Sequence, residues 1–376
     1  MKLPSNLLHK LDARRLEGSL RSLASQNDFI DFSSNDYLGF AKNTAIRKKV
    51  MEDMHRYPTN NGSSGSRLLS GNFDFHEALE TDLARFFKSD RTLLFNSGYD
   101  ANIGLLSSIL QRSDRIFYDE FSHASIRDGI RLSYAKAFGF KHNDLDDLRR
   151  KLNKTSSEGE KYLVVEAVYS MDGDMAPLKE MVEISKEFDV KLIVDEAHST
   201  GVYGSKGQGI VIDNELDPFI FARIYTFGKA MGCHGATVAG DEQLIHYLLN
   251  FARSFIYTTA MPLHNVLSIK NALAELEQSK ERQILWQKIA YFKEMISNFN
   301  LDQFFIESDS PIQSCVIGST SKVKTICEKL RANKFDAKPI LSPTVASGQE
   351  RIRFCIHSYN TLDDIHEILF LLSTFV

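Results

Sequence analysis

Five short stretches of this sequence carry groups that could do chemistry together. Lys229 sits in Tyr225-Thr-Phe-Gly-Lys229-Ala-Met-Gly232, after an apolar run and among small residues. A lysine in apolar surroundings loses its proton more readily and can form a Schiff base, whereas the same lysine in an open turn is merely solvated. Asp195 ends Leu192-Ile-Val-Asp195, and His198 follows three residues later. That carboxylate can serve a site or cap a helix. Asn96-Ser-Gly98-Tyr99 follows the run Thr92–Phe95 and opens a helical stretch, Asp100 to Leu110. The free N–H groups of such a junction suit a phosphate, although a plain glycine turn looks the same. His123, in Phe121-Ser-His123-Ala-Ser125, follows Ile116 to Tyr118 and could stack on a planar ring or be a satisfied loop residue. Ser170 brings a hydroxyl after a further apolar run, Tyr162–Val165.

In α/β sheets, functional groups gather where strands end at their carboxyl side. Each of these five stretches follows a strand-like run. Together they offer a phosphate turn, an imidazole, a hydroxyl, a carboxylate and a lysine, which is the set that pyridoxal 5′-phosphate needs. The lysine forms the imine, and the carboxylate keeps the pyridine nitrogen protonated so that the ring can take up electrons. GxGxxG and GxxxxGK[ST] are both absent, so neither a dinucleotide fingerprint nor a Walker loop explains the phosphate turn.

The elements that must position these groups alternate. Apolar runs at Thr92–Phe95, Arg115–Tyr118, Tyr162–Val165, Leu192–Val194 and Arg223–Phe227 read as strands, with helical stretches such as Leu178 to Phe188 between them. That pattern predicts an α/β fold with a mostly parallel sheet flanked by helices. The first thirty residues read as a helix, with Leu7, Leu8, Leu11, Arg14, Arg15 and Leu20 at helical spacings. Asp31 to Gly39 reads as a short strand running into a turn, and Asn60 to Ser66 as a Gly/Ser-rich loop. Asp74 with Glu77 reads as a capping box opening a helix that runs to Lys88, and Lys154 to Glu160 as a surface loop. Beyond Met261 the pattern changes to a long helical region, Pro262 to Asn300, then a strand at Gln313–Ile317 and a helix marked by Val323, Ile326, Cys327 and Leu330. A strand at Arg351–Ile356 and a last helix capped by Thr361 complete a smaller α+β domain. The resulting division is an N-terminal segment, 1–45, a large cofactor-binding domain, 46–262, and a small C-terminal domain, 263–376.

With 376 residues, 43% of them hydrophobic and 25% charged, the chain has the composition of a globular protein of more than one core. Its net charge of −4 argues against a general nucleic-acid binder. Cys233, Cys315, Cys327 and Cys355 show no CxxC spacing and lie in apolar stretches, which predicts buried reduced thiols rather than disulfides or a metal site. Residues 1–15 have no signal-peptide core, and Ile368 to Val376 is too short to span a bilayer. These features predict a cytoplasmic protein.

The ordered blocks FSSNDYLG (32–39), GSSGSRLLSGN (62–72), NSGYDAN (96–102), SHAS (122–125), HND (142–144), SMDGDMAPL (170–178), VDEAHSTGVYG (194–204), TFGKAMG (226–232) and TTAMP (258–262) cover nearly the whole chain. In them the sequence resembles the α-oxoamine synthases, a family of fold-type-I pyridoxal-phosphate enzymes. The resemblance implies that Lys229 is the Schiff-base lysine, Asp195 the partner of the pyridine nitrogen, His198 the neighbour of the ring 3-oxygen and His123 the stacking imidazole. It also implies that Ser170 is a cofactor contact, that Gly98, Tyr99 and Thr226 meet the phosphate, and that Asn35 and Arg353 hold the amino-acid carboxylate. Arg21 matches an arginine near the substrate entrance. The Arg353 guanidinium suits the carboxylate-holding role, since it can grip a carboxylate through two parallel hydrogen bonds. Two blocks depart from the commonest form: SGY stands where many relatives have SGF, and GKAMG where many have GKGFG. Neither change removes a reacting group.

The activity implied by the resemblance is the decarboxylative condensation of an amino acid, here L-alanine, with an acyl thioester. The implied donor is a pimeloyl group on coenzyme A or an acyl-carrier protein, and the setting is biotin biosynthesis. A family member that uses glycine and acetyl-CoA is the alternative within the family. A non-catalytic binding protein on the same fold is the alternative of another class; it is disfavoured because Lys229, Asp195, His123 and His198 are all present. The resemblance also implies a homodimer with its active sites at the subunit interface.

Overall fold

Apolar runs too short for helices become the strands of a buried sheet. A computed structural model describes residues 3–21, 23, 28–57, 61–156 and 158–376. Among these, the strands are β1 (Ile30–Asp31), β2 (Arg91–Phe95), β3 (Arg115–Asp119), β4 (Lys136–Phe140), β5 (Lys161–Glu166), β6 (Val190–Asp195), β7 (Ala222–Thr226), β8 (Ala236–Gly240), β9 (Ile312–Val316), β10 (Phe335–Asp336), β11 (Lys338–Ile340) and β12 (Arg351–Cys355). The chain divides into two units: Asn35–Ser170 with Met175–Ile284, and Met1–Ser34 with Met171–Asp174 and Leu285–Val376.

The larger unit holds a seven-stranded sheet in the order β2-β8-β7-β6-β5-β3-β4. Only β8 runs antiparallel to its neighbours β2 and β7, and the remaining pairings are parallel. The mostly parallel α/β sheet expected from the alternating pattern is therefore the fold. Helices Gly98–Ile109, Ala124–Leu132, Leu145–Lys154 and Leu178–Phe188 alternate with these strands. Leu105, Leu106, Ile126, Val164, Ile193, Ile224 and Val238 pack into one buried cluster. Each such side chain taken wholly out of water contributes about 1.5–3 kcal/mol.

Two strands of this sheet escaped the sequence pattern. β4, Lys-Ala-Phe-Gly-Phe, is an edge strand that leaves Lys136 and Ala137 exposed, so it carries no apolar run. β8, Ala-Thr-Val-Ala-Gly, is largely buried but only its middle pair, Thr237 and Val238, favours a strand; the flanking Ala236, Ala239 and Gly240 do not, and its position between β2 and β7 imposes the extended form. Helix Asp74–Phe86 also starts differently from the expected box: Asp74 is its first residue, and His76 Nδ1 accepts from Phe73 N–H at 3.2 Å.

In the smaller unit, β11, β12 and β9 form an antiparallel sheet, and β1 pairs in parallel with β10. Helix Thr320–Ala332 buries Val323, Ile326, Cys327 and Leu330. Helix Leu362–Ser373 is capped by Thr361, whose hydroxyl accepts from Asp364 N–H while the Asp364 carboxylate accepts from Thr361 N–H. The helix expected over the first thirty residues spans only Ser5–Leu16, and the chain turns at Gly18, where φ is 66°. Positions 1, 2, 22 and 24–27 of that stretch, Asn60 of the Gly/Ser loop and position 157 of the polar loop lie outside the described residues.

All four cysteines are free thiols. Burial pushes Cys233, Cys315 and Cys327 up to about 12, which keeps them neutral and unreactive. Among the described residues no helix is long and apolar enough to cross a membrane.

Candidate active site

The carboxyl ends of the parallel strands bring the main groups together. β6 ends at Asp195, whose side chain is buried. Its Oδ2 accepts from Asn102 Nδ2 at 2.8 Å and its Oδ1 from Ala197 N–H at 2.9 Å, so the carboxylate is held in one orientation. The next residue, Glu196, has a different task. Its buried carboxylate accepts from Ile210 N–H at 2.9 Å and Val211 N–H at 2.7 Å, and so anchors the start of the short helix Ile210–Asp213.

β3 leads into His123, which caps helix Ala124–Leu132: its Nδ1 accepts from Ser125 N–H at 3.2 Å and lies 2.7 Å from Ser125 Oγ. Its backbone N–H donates to Glu166 Oε1 at 2.6 Å. Burial pushes the His123 imidazole below its ordinary pKa, and the charge of Lys229 adds to this while Asp195 and Asp128 oppose it. Glu166 ends β5 and is the register partner of Asp195. Burial, and next the charge of Asp195, raise its carboxyl to about 8, against the opposing charge of Lys229 and the His123 N–H.

Lys229 lies half-buried in the turn after β7. Gly232 closes that turn, donating its N–H to Lys229 C=O at 2.8 Å. Here only glycine fits: φ is 61°, and an added Cβ would lie 2.1 Å from Ala41 N. The mutual electrostatic influences among His123, Glu166, Asp195 and Lys229 define one centre.

Beside it, helix Gly98–Ile109 begins after Ser97, whose hydroxyl accepts from Asp100 N–H at 3.1 Å. The N–H groups of Gly98 and Tyr99 belong to the first turn and have no carbonyl partner within the helix. Thr226, the last residue of β7, stands against this terminus: a Cβ built on Gly98 would be 3.4 Å from Thr226 Oγ1. Backbone donors, the helix dipole and a hydroxyl make an anion cradle. The Tyr99 ring is partly exposed, and its hydroxyl donates to Asp128.

His198 is buried, with Nδ1 2.7 Å from Tyr37 Oη, and Tyr37 in turn donates to Asn35 Oδ1 at 3.2 Å. Ser170 is half-buried in the turn that follows β5. Two expected site residues belong to the smaller unit. Arg353 is half-buried on β12, with Nη2 3.0 Å from Cys355 Sγ. Arg21 is exposed and lines a cavity of about 300 Å³ together with Arg14 and Lys324.

Asn102, Ser125, Glu166 and Tyr37 were not singled out in the sequence. Glu166 had a signal, since it directly follows the apolar run 162–165. The others lie inside the NSGYDAN, SHAS and SSNDYLG blocks, but only folding shows what they touch. The donor set (an anion cradle, an oriented carboxylate, an imidazole and a lysine amine) fits a phosphorylated pyridine aldehyde such as pyridoxal phosphate.

Comparison with known proteins agrees. Residues 27–369 match the family described as aminotransferase class I and II. An 8-amino-7-oxononanoate synthase of Lysinibacillus sphaericus is 37% identical over 91% of this chain and 87% of its own length. A crystal structure of 8-amino-7-oxononanoate synthase from Francisella tularensis superposes with a TM-score of 0.79 at 31% identity, covering 93% of this chain and 98% of that one. The serine palmitoyltransferase of S. paucimobilis with bound PLP–myriocin aldimine shares the fold, with a TM-score of 0.90 at 24% identity over 98% of this chain and 96% of that one. The chain belongs to the class I and II aminotransferase family and, within it, to the family of the 8-amino-7-oxononanoate synthases.

Proposed function

We infer that this protein is a pyridoxal-phosphate-dependent acyltransferase of biotin biosynthesis. It condenses L-alanine with a pimeloyl thioester and releases carbon dioxide, the free thiol and 8-amino-7-oxononanoate. The observation that carries the reading is the convergence of Lys229, Asp195 and His123 at the carboxyl ends of parallel strands, in a chain of this family.

The residues divide the work as follows. The N–H groups of Gly98 and Tyr99 with the Thr226 hydroxyl would hold the phosphate. Asp195, fixed by Asn102 and Ala197, would face the pyridine nitrogen, with His198 near the ring 3-oxygen, His123 on the ring face and Ser170 as a further contact. Pyridoxal phosphate, when bound, supplies an electron-withdrawing ring that stabilises the electron pair left at the substrate Cα. Lys229 would hold the cofactor's aldehyde carbon until the amino acid displaces it. The freed Lys229 Nζ then takes the Cα proton as general base. The Cα electron pair forms a carbon–carbon bond with the acyl carbonyl, and the thiolate leaves. Loss of carbon dioxide breaks the Cα–carboxylate bond, and a proton delivered to Cα gives the aminoketone. Asn35 and Arg353 would bind the substrate carboxylate, and Arg21 would lie on the entry path of the acyl donor.

The partners we propose are L-alanine, pimeloyl-CoA or pimeloyl-acyl carrier protein, and a second copy of the chain in a cytoplasmic homodimer. Leu7, Leu8 and Leu11 support the dimer: they are exposed on a helix with no buried residue, an apolar surface that a second copy would cover.

The test is a visible absorption titration of the protein with pyridoxal phosphate and then L-alanine, glycine or L-serine, with product mass measured after pimeloyl-CoA is added. A band that shifts at low alanine, followed by 8-amino-7-oxononanoate, is expected. A glycine-selective response would move the assignment to an acetyl-transferring member of the family, and the absence of any band would remove it.

A further inference from the structure

Asp195, Asn102 and Ser125 are buried and, with the more exposed His123, form one chain in which every proton can be assigned. Asn102 Nδ2 has two protons and donates to Asp195 Oδ2 at 2.8 Å and to Ser125 Oγ at 3.1 Å. The reversed amide would turn Oδ1 onto a carboxylate, so charge fixes the orientation. Asn102 Oδ1 is consequently buried without a partner, a cost of about 1–3 kcal/mol that the fold carries. Ser125 Oγ accepts from Asn102 and has one proton of its own to give. It lies 2.7 Å from His123 Nδ1, and the Ser125 backbone N–H points at the same atom from 3.2 Å. A backbone N–H can only donate. His123 Nδ1 therefore presents a lone pair, the Ser125 hydroxyl donates to it, and the ring proton sits on Nε2.

We propose that Asn102 and Ser125 are positioning residues that hold His123 as the neutral imidazole with its proton on Nε2, and that the shared Asn102 amide ties this setting to the orientation of Asp195. Protonation at Nδ1 would set an N–H against the Ser125 backbone N–H, break that contact and force the Ser125 hydroxyl to turn its proton away and accept from both Asn102 and His123. Burial favours the same neutral ring, with Lys229 on that side and Asp195 and Asp128 opposing. His123 then presents only a donor at Nε2, and base chemistry is left to Lys229. This inference deepens the function proposed above and rests on it for the reaction served.

The test labels histidine with ¹⁵N in the full chain and reads long-range ¹H–¹⁵N correlations, with and without pyridoxal phosphate, between about pH 6 and 8. The His123 signal is assigned by its loss in His123→Asn. Wild-type protein should show an unprotonated Nδ1 and a protonated Nε2. Ser125→Ala keeps the backbone N–H at Nδ1 but loses the hydroxyl, so it should shift the His123 ring signal toward a partial mixture of tautomers and lower kcat/KM about tenfold, the loss of roughly one hydrogen bond. Ser125→Thr, which keeps the hydroxyl, should restore both readouts. A protonated Nδ1 in wild-type protein, or an unchanged ring signal in Ser125→Ala, would overturn the proposal. The ring signals are read without substrate, so they stand or fall independently of whether alanine and pimeloyl-CoA give product.

Discussion

Glu166 and Asp195 are register partners at the ends of β5 and β6, so two carboxyl side chains finish adjacent strands of the sheet side by side. Both are buried, and two buried charges of one sign cannot both be carried cheaply. The conflict is resolved by Glu166, whose carboxyl is raised to about 8 and holds its proton at neutral pH.

This has a consequence for stability. The folded-state pKa of Glu166 lies above its ordinary 4.5, so the folded chain binds this proton more tightly than the unfolded chain. The resulting stabilisation is fully present below about pH 4.5 and is lost as pH rises through about 8. Glu166→Gln keeps an acceptor for His123 N–H but cannot ionise. Urea midpoints at a series of pH values should therefore fall less steeply with rising pH in Glu166→Gln than in wild type. Parallel curves would show that Glu166 does not carry this proton.

Lys229→Ala should leave the fold intact, because Lys229 is half-buried in a turn and its backbone carbonyl still accepts from Gly232. It should lose the visible band formed with pyridoxal phosphate and reduce kcat by about 10⁴-fold or more, the upper range for a general base. Turnover close to wild type in this variant would remove the lysine from the mechanism.

Gly98→Ala tests the anion cradle without touching a reacting group. The added Cβ meets Thr226 Oγ1 at 3.4 Å, an ordinary contact, so thermal stability should hardly change. The methyl group would crowd the space between the helix N-terminus and Thr226, where the proposed cradle would take a phosphate. Pyridoxal-phosphate Kd should rise about tenfold, or about 1.4 kcal/mol. An unaltered Kd would place the phosphate elsewhere.

Tyr37→Phe removes the hydroxyl that lies 2.7 Å from His198 Nδ1 and donates to Asn35. Losing a buried bond of this kind should cost about 1 kcal/mol in urea unfolding. If His198 acts near the cofactor's 3-oxygen, the wavelength or pH dependence of the visible band should also move. A stability loss with an unchanged spectrum would make Tyr37 purely structural.

The sequence by itself determined the alternation of strands and helices, and with it the mostly parallel sheet, because apolar runs at 115–118, 162–165 and 192–194 can be buried on both faces only as inner strands. It also placed Lys229, Asp195, His123 and Gly98 where parallel strands deliver their functional groups. Strand β4 was illegible because an edge strand can leave polar residues exposed, and β8 because its flanking small residues become extended only between two neighbours. Tertiary structure alone decided the partnerships. Asn102 and Asp195 are 93 residues apart, Tyr37 and His198 are 161 apart, and each pair is joined by a hydrogen bond under 3 Å. Such bonds depend on the register and packing of whole elements, which local periodicity does not encode. The protonation of Glu166 is a tertiary property for the same reason, since it follows from how much water the finished fold removes and which charge it places alongside.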